Sequence, residues 1–376
     1  MKRKLRITYF LHTTVGEQDA EFYIKDLLNE YFKGLSKLAD VTLVGTFVPR
    51  QFFHGSKITT EVKTSFLSET DNRRLNVKIK NFKWAISKSD ACFLFMPCMS
   101  SVLAGLICIL LGKPFVTYFG AHWYDLEISK PNGRRLKAAF YSIVSNLLSS
   151  SSIYSLYTGA GVLNNHKGRN KYITVPILNL SQEAFFKRRT YKELKSSKKV
   201  EILYVGSLTQ NKGLDILFNA LQKLNNPKLE LHIVGDGIEG EKLKTLVKVI
   251  GIDRQVTFHG FISNGPELFE FYRSSDIFVL PSFSEGLPRV LYEAAGNGCP
   301  IITTPVNSIP YVFKDNYDCL FIQPGSVDDI VYVLNQLITE KELNAYLAGN
   351  AYKTVAPILN EKAYSQHFTL MQEYLK

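Results

Sequence analysis

The sequence predicts an α/β protein built from two doubly wound domains in tandem. Three observations predict it. Short apolar strands alternate with amphipathic helices through residues 1–178, and the alternation restarts at Val200. A polar, basic stretch separates the two runs, with Lys187-Arg188-Arg189 and Lys195-Ser196-Ser197-Lys198-Lys199. The charge sign flips at the same place. Residues 1–200 carry 31 Lys and Arg against 14 Asp and Glu, a balance of +17, and residues 201–376 carry 14 against 20, a balance of −6. Strands alternating with helices imply parallel sheets with helices on both faces. A chain of 376 residues suits two such domains.

Taken in order, 5–11 reads as a strand, 19–38 as an amphipathic helix and 41–47 as the next strand. Residues 78–87 have helical spacing, and 91–96 is a continuous apolar strand. A helix over 102–111, a strand over 115–119, a basic amphipathic helix over 134–148 and a strand over 152–156 follow. The predicted boundaries are an N-terminal domain over 1–178, a linker over 179–199 and a C-terminal domain over 200–355. A helix over 356–376 is expected to pack back on the first domain. In the second domain, strands are expected at 200–205, 229–234, 256–259, 277–280 and 301–303. Helices are expected at 214–224, 240–249, 266–272, 289–296 and 328–338.

The composition, 45% hydrophobic and 21% charged, is that of a globular protein. No apolar run is long enough to span a bilayer, and the basic start lacks the apolar core of a secretory signal. Five cysteines without a CxxC pair suit a reduced, cytoplasmic setting rather than a zinc or disulfide framework. A +17 half suits an anionic partner. The 134–148 helix sets Arg134, Arg135 and Lys137 beside Leu136, Phe140, Ile143 and Leu147. That pattern suits peripheral contact with an anionic inner membrane, and nucleic acid is not expected. A core-packing helix with a solvated basic start would read the same way.

Three segments could carry chemistry. Gly235-Asp236-Gly237-Ile238-Glu239-Gly240 matches GxGxxG after a strand, but no carboxylate ends the next strand at Phe258-His259-Gly260 to hold a ribose. It reads instead as a glycine turn that lets a helix pack closely. Gly206-Ser207-Leu208-Thr209-Gln210-Asn211-Lys212-Gly213 is a strand–loop–helix junction with one Lys, able to hold a phosphate through backbone N–H groups and a point charge. An ordinary βα loop with a surface Lys would look alike. The third runs from Ser282 to Pro300. A buried strand ends in Pro281, Glu285 follows on a loop, Gly286 frees the backbone, Pro288 suits a first helical turn, and Glu293 lies further on. Eight positions on a helix amount to about 800°, so two carboxylates there would point broadly to one side.

The Glu285–Glu293 spacing, with seven residues between, resembles the EX7E motif of retaining glycosyltransferases of the GT-B fold (glycosyl transferases group 1, family 4). The surroundings are similar as well: the strand and Gly206-Ser207 loop with Lys212-Gly213, the Leu231–Gly237 turn, Phe258–Phe261 and Asp276–Gly286. The likeness covers about residues 200–340 and implies two Rossmann-like domains facing each other across a cleft. It implies that Glu285 bonds donor-sugar hydroxyls, Glu293 holds the nucleotide ribose and Lys212 neutralises the leaving diphosphate. Gly206 and Ser207 would line the diphosphate loop. Backbone N–H groups around Gly286, Leu287 and Pro288 would meet the sugar or diphosphate, and Gly260 and Phe261 would lie beside the base. In the first half, Gly16 is what remains of a Gly-Gly pair, and His122 is the candidate active-site histidine. The sequence departs from the family where Ser207 replaces Arg, where Asn307-Ser308-Ile309-Pro310 replaces a glycine-rich loop, and at Tyr311.

The resemblance implies transfer of a sugar from a nucleotide-diphosphate sugar to a glycan or lipid-linked acceptor, with retention, in bacterial surface polysaccharide synthesis. Neither cofactor nor metal is expected, since there is no DxD and Lys212 with helix N–H groups can hold the leaving charge. A nucleotide-sugar 2-epimerase and a non-catalytic nucleotide-sugar-binding subunit are the rival readings.

Overall fold

A computed structural model describes residues 3–11, 13, 15–50, 55–120, 135–164, 166, 168, 170–174, 199–286, 288–359 and 363–376. The chain divides into two compact units, 1–178 with 361–376, and 179–360.

The first unit begins with β1 (Arg6–Phe10), β2 (Val15–Gln18), β3 (Glu21–Ile24), α1 (Asp26–Ser36) and β4 (Asp40–Pro49). Then come β5 (Ser56–Lys57), β6 (Lys63–Ser68), α2 (Glu69–Arg73), α3 (Leu75–Ser87), β7 (Ala91–Met96), α4 (Met99–Leu110) and β8 (Phe115–Phe119). It continues through α5 (Arg135–Ser151), β9 (Tyr154–Tyr157), α6 (Ala160–Asn164) and β10 (Lys171–Ile173). The strand order is β10-β9-β8-β7-β1-β4-β2-β3-β5, with β6 also on β4. Every residue of β7 and β8 is buried. A strand covered on both faces reads as an unbroken apolar run, so these two have their predicted bounds.

The expected helix over 19–38 is corrected. Its first part is a hairpin: β2 and β3 pair antiparallel with Gln18 opposite Glu21. Asp19 and Ala20 both take positive φ, 54° and 62°. Two left-handed central residues are what a two-residue hairpin turn needs to match strand twist. The helix starts only at Asp26. Strands β5 and β6 answer to no predicted element.

The second unit contains β11 (Val200–Val205), α7 (Leu214–Leu224), β12 (Leu229–Val234), α8 (Gly240–Val249), β13 (Val256–Gly260), α9 (Pro266–Ser274) and β14 (Ile277–Leu280). It continues with α10 (Arg289–Gly296), β15 (Ile301–Thr303), α11 (Ile309–Val312), β16 (Leu320–Phe321), α12 (Val327–Thr339) and α13 (Lys341–Leu359). All six strands are parallel, in the order β13-β12-β11-β14-β15-β16.

The last helix, α14 (Ala363–Tyr374), belongs to the first unit. It buries Ala363, His367, Phe368 and Met371. The His367 ring lies between Tyr31 Oη at 2.8 Å from Nδ1 and Thr174 Oγ1 at 2.6 Å from Nε2, and Tyr154 donates to the His367 carbonyl. Burial pushes the His367 pKa down to about 3. Among the described residues, no helix is long and apolar enough to cross a membrane.

Candidate active site

The order in which strands are added to the second sheet reverses between β11 and β14. Strands β12 and β13 lie on one side, β15 and β16 on the other. In open parallel sheets, ligands are held at the carboxyl ends of the strands where the order reverses. Two loops leave that point, 206–213 after β11 and 281–288 after β14.

These loops are stitched together. Phe283 N donates to Asn211 O at 2.8 Å, and Asn211 Nδ2 donates to Ser284 O at 3.4 Å. Gly213 has φ +67°, and a Cβ there would meet Pro281 O at 2.4 Å. Only glycine allows both that φ and that approach. A 3-10 turn, Gln210–Lys212, precedes it and presents Lys212.

The outcome is an ion pair. Lys212 Nζ donates to Glu285 Oε1 at 2.6 Å, with only 15% and 9% of the two side chains exposed. Ser282 Oγ donates to the same carboxylate oxygen at 2.7 Å, and Ser282 is fully buried. Thr304 Oγ1 donates to Ser282 O at 2.6 Å, and Asn307 Nδ2 bonds Glu285 O. Burial, with the Glu285 charge added, holds the Tyr204 phenol well above its ordinary pKa. Neutral Tyr204 donates to Ser207 O at 2.9 Å and shapes the first loop.

Glu293 occupies a different setting. It lies in α10, is 5% exposed, and accepts from Tyr272 Oη at 2.8 Å and Asn264 Nδ2 at 2.9 Å. Burial raises its pKa, while Tyr272, Arg289 and Asn264 favour the charged form. The helical-wheel relation between Glu285 and Glu293 is corrected. Helix α10 starts at Arg289, with extended Pro288 as its cap rather than inside its first turn. Residues 285–286 and 288 are not helical, so 800° of helix does not connect the carboxylates.

The other predicted residues fall as follows. Gly206 N donates to Val234 O at 3.0 Å, and Ser207 is exposed. Gly260 ends β13 with φ +72° and open space at its Cβ position, so its conformation, not crowding, calls for glycine. Phe261 beside it is 61% exposed. Gly286 is half-buried and Pro288 buried. Leu287 and His122 lie outside the described residues. Gly16 lies inside β2, paired with Tyr23 on one side and Val48 on the other.

The Gly235–Gly240 segment serves packing. A Cβ on Gly235 would meet Gly206 O at 1.9 Å, and one on Gly237 would meet Leu208 O at 2.4 Å. The turn is thus pressed against the 206–208 loop. Ser282, Asn264, Tyr272, Asn211 and Asn307 were not predicted as site residues. Ser282 lies three residues before Glu285, a local spacing that a search for side-chain partners could have used. Asn264 and Tyr272 come from 29 and 21 residues away and carry no local signal.

One group of metal-ligating type exists among the described residues. Ligand atoms of Glu201, Glu230 and His232 lie within 4.8 Å of one another. They sit in β11 and β12 on residues already paired: His232 with Glu201, and Glu230 with Lys199.

The arrangement offers a partly shielded cation, a carboxylate oriented by two donors, Lys212 and Ser282, and the N-terminal end of α10 at one strand reversal. Such a set can hold hydroxyls and an anionic group side by side.

Residues 186–354 match the family Glycosyl transferases group 1. The chain is 30% identical over 179 residues to an uncharacterized glycosyltransferase of Methanocaldococcus jannaschii, covering 47% of this chain and 45% of that one. It is 28% identical over 189 residues to the amylovoran biosynthesis glycosyltransferase AmsD of Erwinia amylovora, covering 50% and 52%. The chain thus spans about half the length of these curated relatives. The crystal structure of Anabaena HepE in complex with UDP and glucose is similar in fold, with a TM-score of 0.71, 15% identity and 99% of each chain covered. Residues 186–354 are thus similar to a glycosyl transferases group 1 domain, in a chain of the GT-B fold.

Proposed function

We propose that the chain is a retaining, metal-independent glycosyltransferase. It moves a hexose from a nucleotide-diphosphate sugar to a glycan or lipid-linked acceptor in bacterial surface polysaccharide synthesis. The observation that carries this is the Lys212–Glu285 pair at the β11–β14 reversal. Glu285 takes donor-sugar hydroxyls, and Lys212 faces the diphosphate as it leaves. The bond from the anomeric carbon to the diphosphate oxygen breaks, negative charge grows on that oxygen, and a fixed cation with helix N–H groups lowers the barrier. Glu293, held by Tyr272 and Asn264, takes the nucleotide ribose, beside Gly260 and Phe261. The acceptor hydroxyl attacks the same sugar face and passes its proton to the departing diphosphate oxygen as the bond forms. His122 positions sugar or acceptor. The relatives' names, one of them in amylovoran biosynthesis, and the UDP and glucose complex of HepE support the donor class and the pathway type.

The test is donor turnover with and without candidate acceptors. Glu285→Gln and Lys212→Ala should each lower transfer by about 10²–10³ while far-UV circular dichroism stays unchanged. Near-normal transfer by both variants would overturn the reading. An epimerised donor without free nucleotide would point to the epimerase, and donor binding with no turnover to a binding subunit.

A further inference from the structure

The first unit turns an apolar, cationic face outward. Helices α3, α4 and α5 pack side by side, α3 on α4 and α4 on α5, over one face of the sheet. Their inner sides bury Phe82, Ile86, Ile107 and Leu148. Their outer sides are unusual. Eleven of the twenty-one exposed large hydrophobic side chains among the described residues lie on these helices or on Leu111, the C-cap of α4. On α5 they are Leu136, 89% exposed, with Phe140, Ile143 and Leu147. Steps of four, three and four residues place them in one stripe along the helix. Leu110, 83% exposed, ends α4, and Trp84 stands out from α3.

The charges on the same helices have one sign. Lys78, Lys80 and Lys83 lie on α3, Arg135 and Lys137 on α5, and none of the three helices contains Asp or Glu. Apolar surface of this extent marks an interaction site. Cations without any carboxylate, interleaved with apolar side chains, select an anionic lipid interface. The apolar stripe enters the acyl boundary, and the lysines meet phosphates.

We propose that α3, α4 and α5 form a docking face for an anionic bilayer surface. This deepens the proposed lipid-linked acceptor by naming where the lipid side is met, and it stands apart from the donor chemistry.

Co-sedimentation tests it, using the full chain and vesicles of phosphatidylcholine with or without phosphatidylglycerol. Binding should require phosphatidylglycerol. The variant Leu110→Ser/Phe140→Ser/Ile143→Ser should bind at least about tenfold more weakly, since those three side chains would be buried only on insertion. Lys80→Gln/Lys83→Gln should lose roughly tenfold or more. Melting temperatures should stay unchanged, because all five side chains lie outside the core. Binding that ignores phosphatidylglycerol, or that both variants retain, overturns the proposal. So does absence of vesicle binding; a concentration-dependent dimer that the serine variant abolishes would then assign the face to a second copy. Donor hydrolysis without vesicles is measured in parallel. A variant that loses vesicles but still hydrolyses donor leaves the transferase reading standing.

Discussion

At the scale of single residues, the Lys212–Glu285 pair joins stability to chemistry. Both side chains are largely buried, so removing one leaves the other uncompensated. Lys212→Ala and Glu285→Gln should each cost about 1–3 kcal/mol in urea unfolding. The double variant Lys212→Ala/Glu285→Gln should cost less than the sum, because it leaves no lone buried charge. Catalysis should behave otherwise: either single change should lower kcat by about 10²–10³, the usual loss for one group that stabilises developing charge. A double variant with strictly additive stability loss would mean that the two groups are not coupled. Lys212 and Glu285 were each legible as candidates, because each follows an apolar strand, but their pairing was not: the strand order that sets β11 beside β14 brings the two loops together. Nor was the buried seat of Glu293. Tyr272 and Asn264 reach it from α9 and the turn before it, and no spacing along the chain foretells a partner 21 or 29 residues away.

At the scale of elements, what was legible depended on how completely a strand is buried. β7 and β8 are buried throughout and nearly all apolar, and were bounded correctly. The β2–β3 hairpin was hidden, because Asp19-Ala20 lacks the Asn-Gly signature and amphipathic residues follow at helical spacing. β6 pairs with β4 but is exposed or only half-buried along its length, so it shows no apolar run. Two elements yield predictions. Gly213 lets the 206–213 loop touch Pro281, and Gly213→Ala adds a left-handed non-glycine residue and a 2.4 Å clash with a backbone oxygen. We expect a loss of about 2 kcal/mol or more, with donor turnover falling as the loops part. Wild-type turnover in that variant would show that the stitching is not needed. α14 carries the second. The folded pKa of His367, about 3, lies below the unfolded value of 6.5. Its contribution is therefore fully present above pH 6.5 and is lost as pH falls toward 3. Between pH 7 and pH 5 the wild type should lose about 2 kcal/mol through this ring. His367→Gln should show a flatter urea-midpoint profile over that range, and an unchanged slope would remove His367 as the cause.

At the scale of the whole molecule, the charge asymmetry separates two kinds of anion binding. Residues 201–376 carry a balance of −6, yet they contain the proposed diphosphate site. Net charge there repels a donor, so attraction must come from local groups, Lys212 and the start of α10. A charge as buried as Lys212 is screened little by salt, whereas exposed lysines such as Lys80 and Lys83 act through water and lose range as the Debye length shrinks. The two proposed interactions should therefore part company in salt. A thermal-shift screen across nucleotide-sugars should find one donor that raises the melting temperature by roughly 5–10 °C at about one hundred times its Kd. Raising NaCl from about 0.05 to about 0.5 M should change that donor's Kd by less than roughly threefold, while partition onto phosphatidylglycerol vesicles falls more than about tenfold. If donor affinity instead fell as steeply as vesicle binding, the diphosphate would be held by exposed surface charge, and the buried Lys212–Glu285 pair could not be its seat.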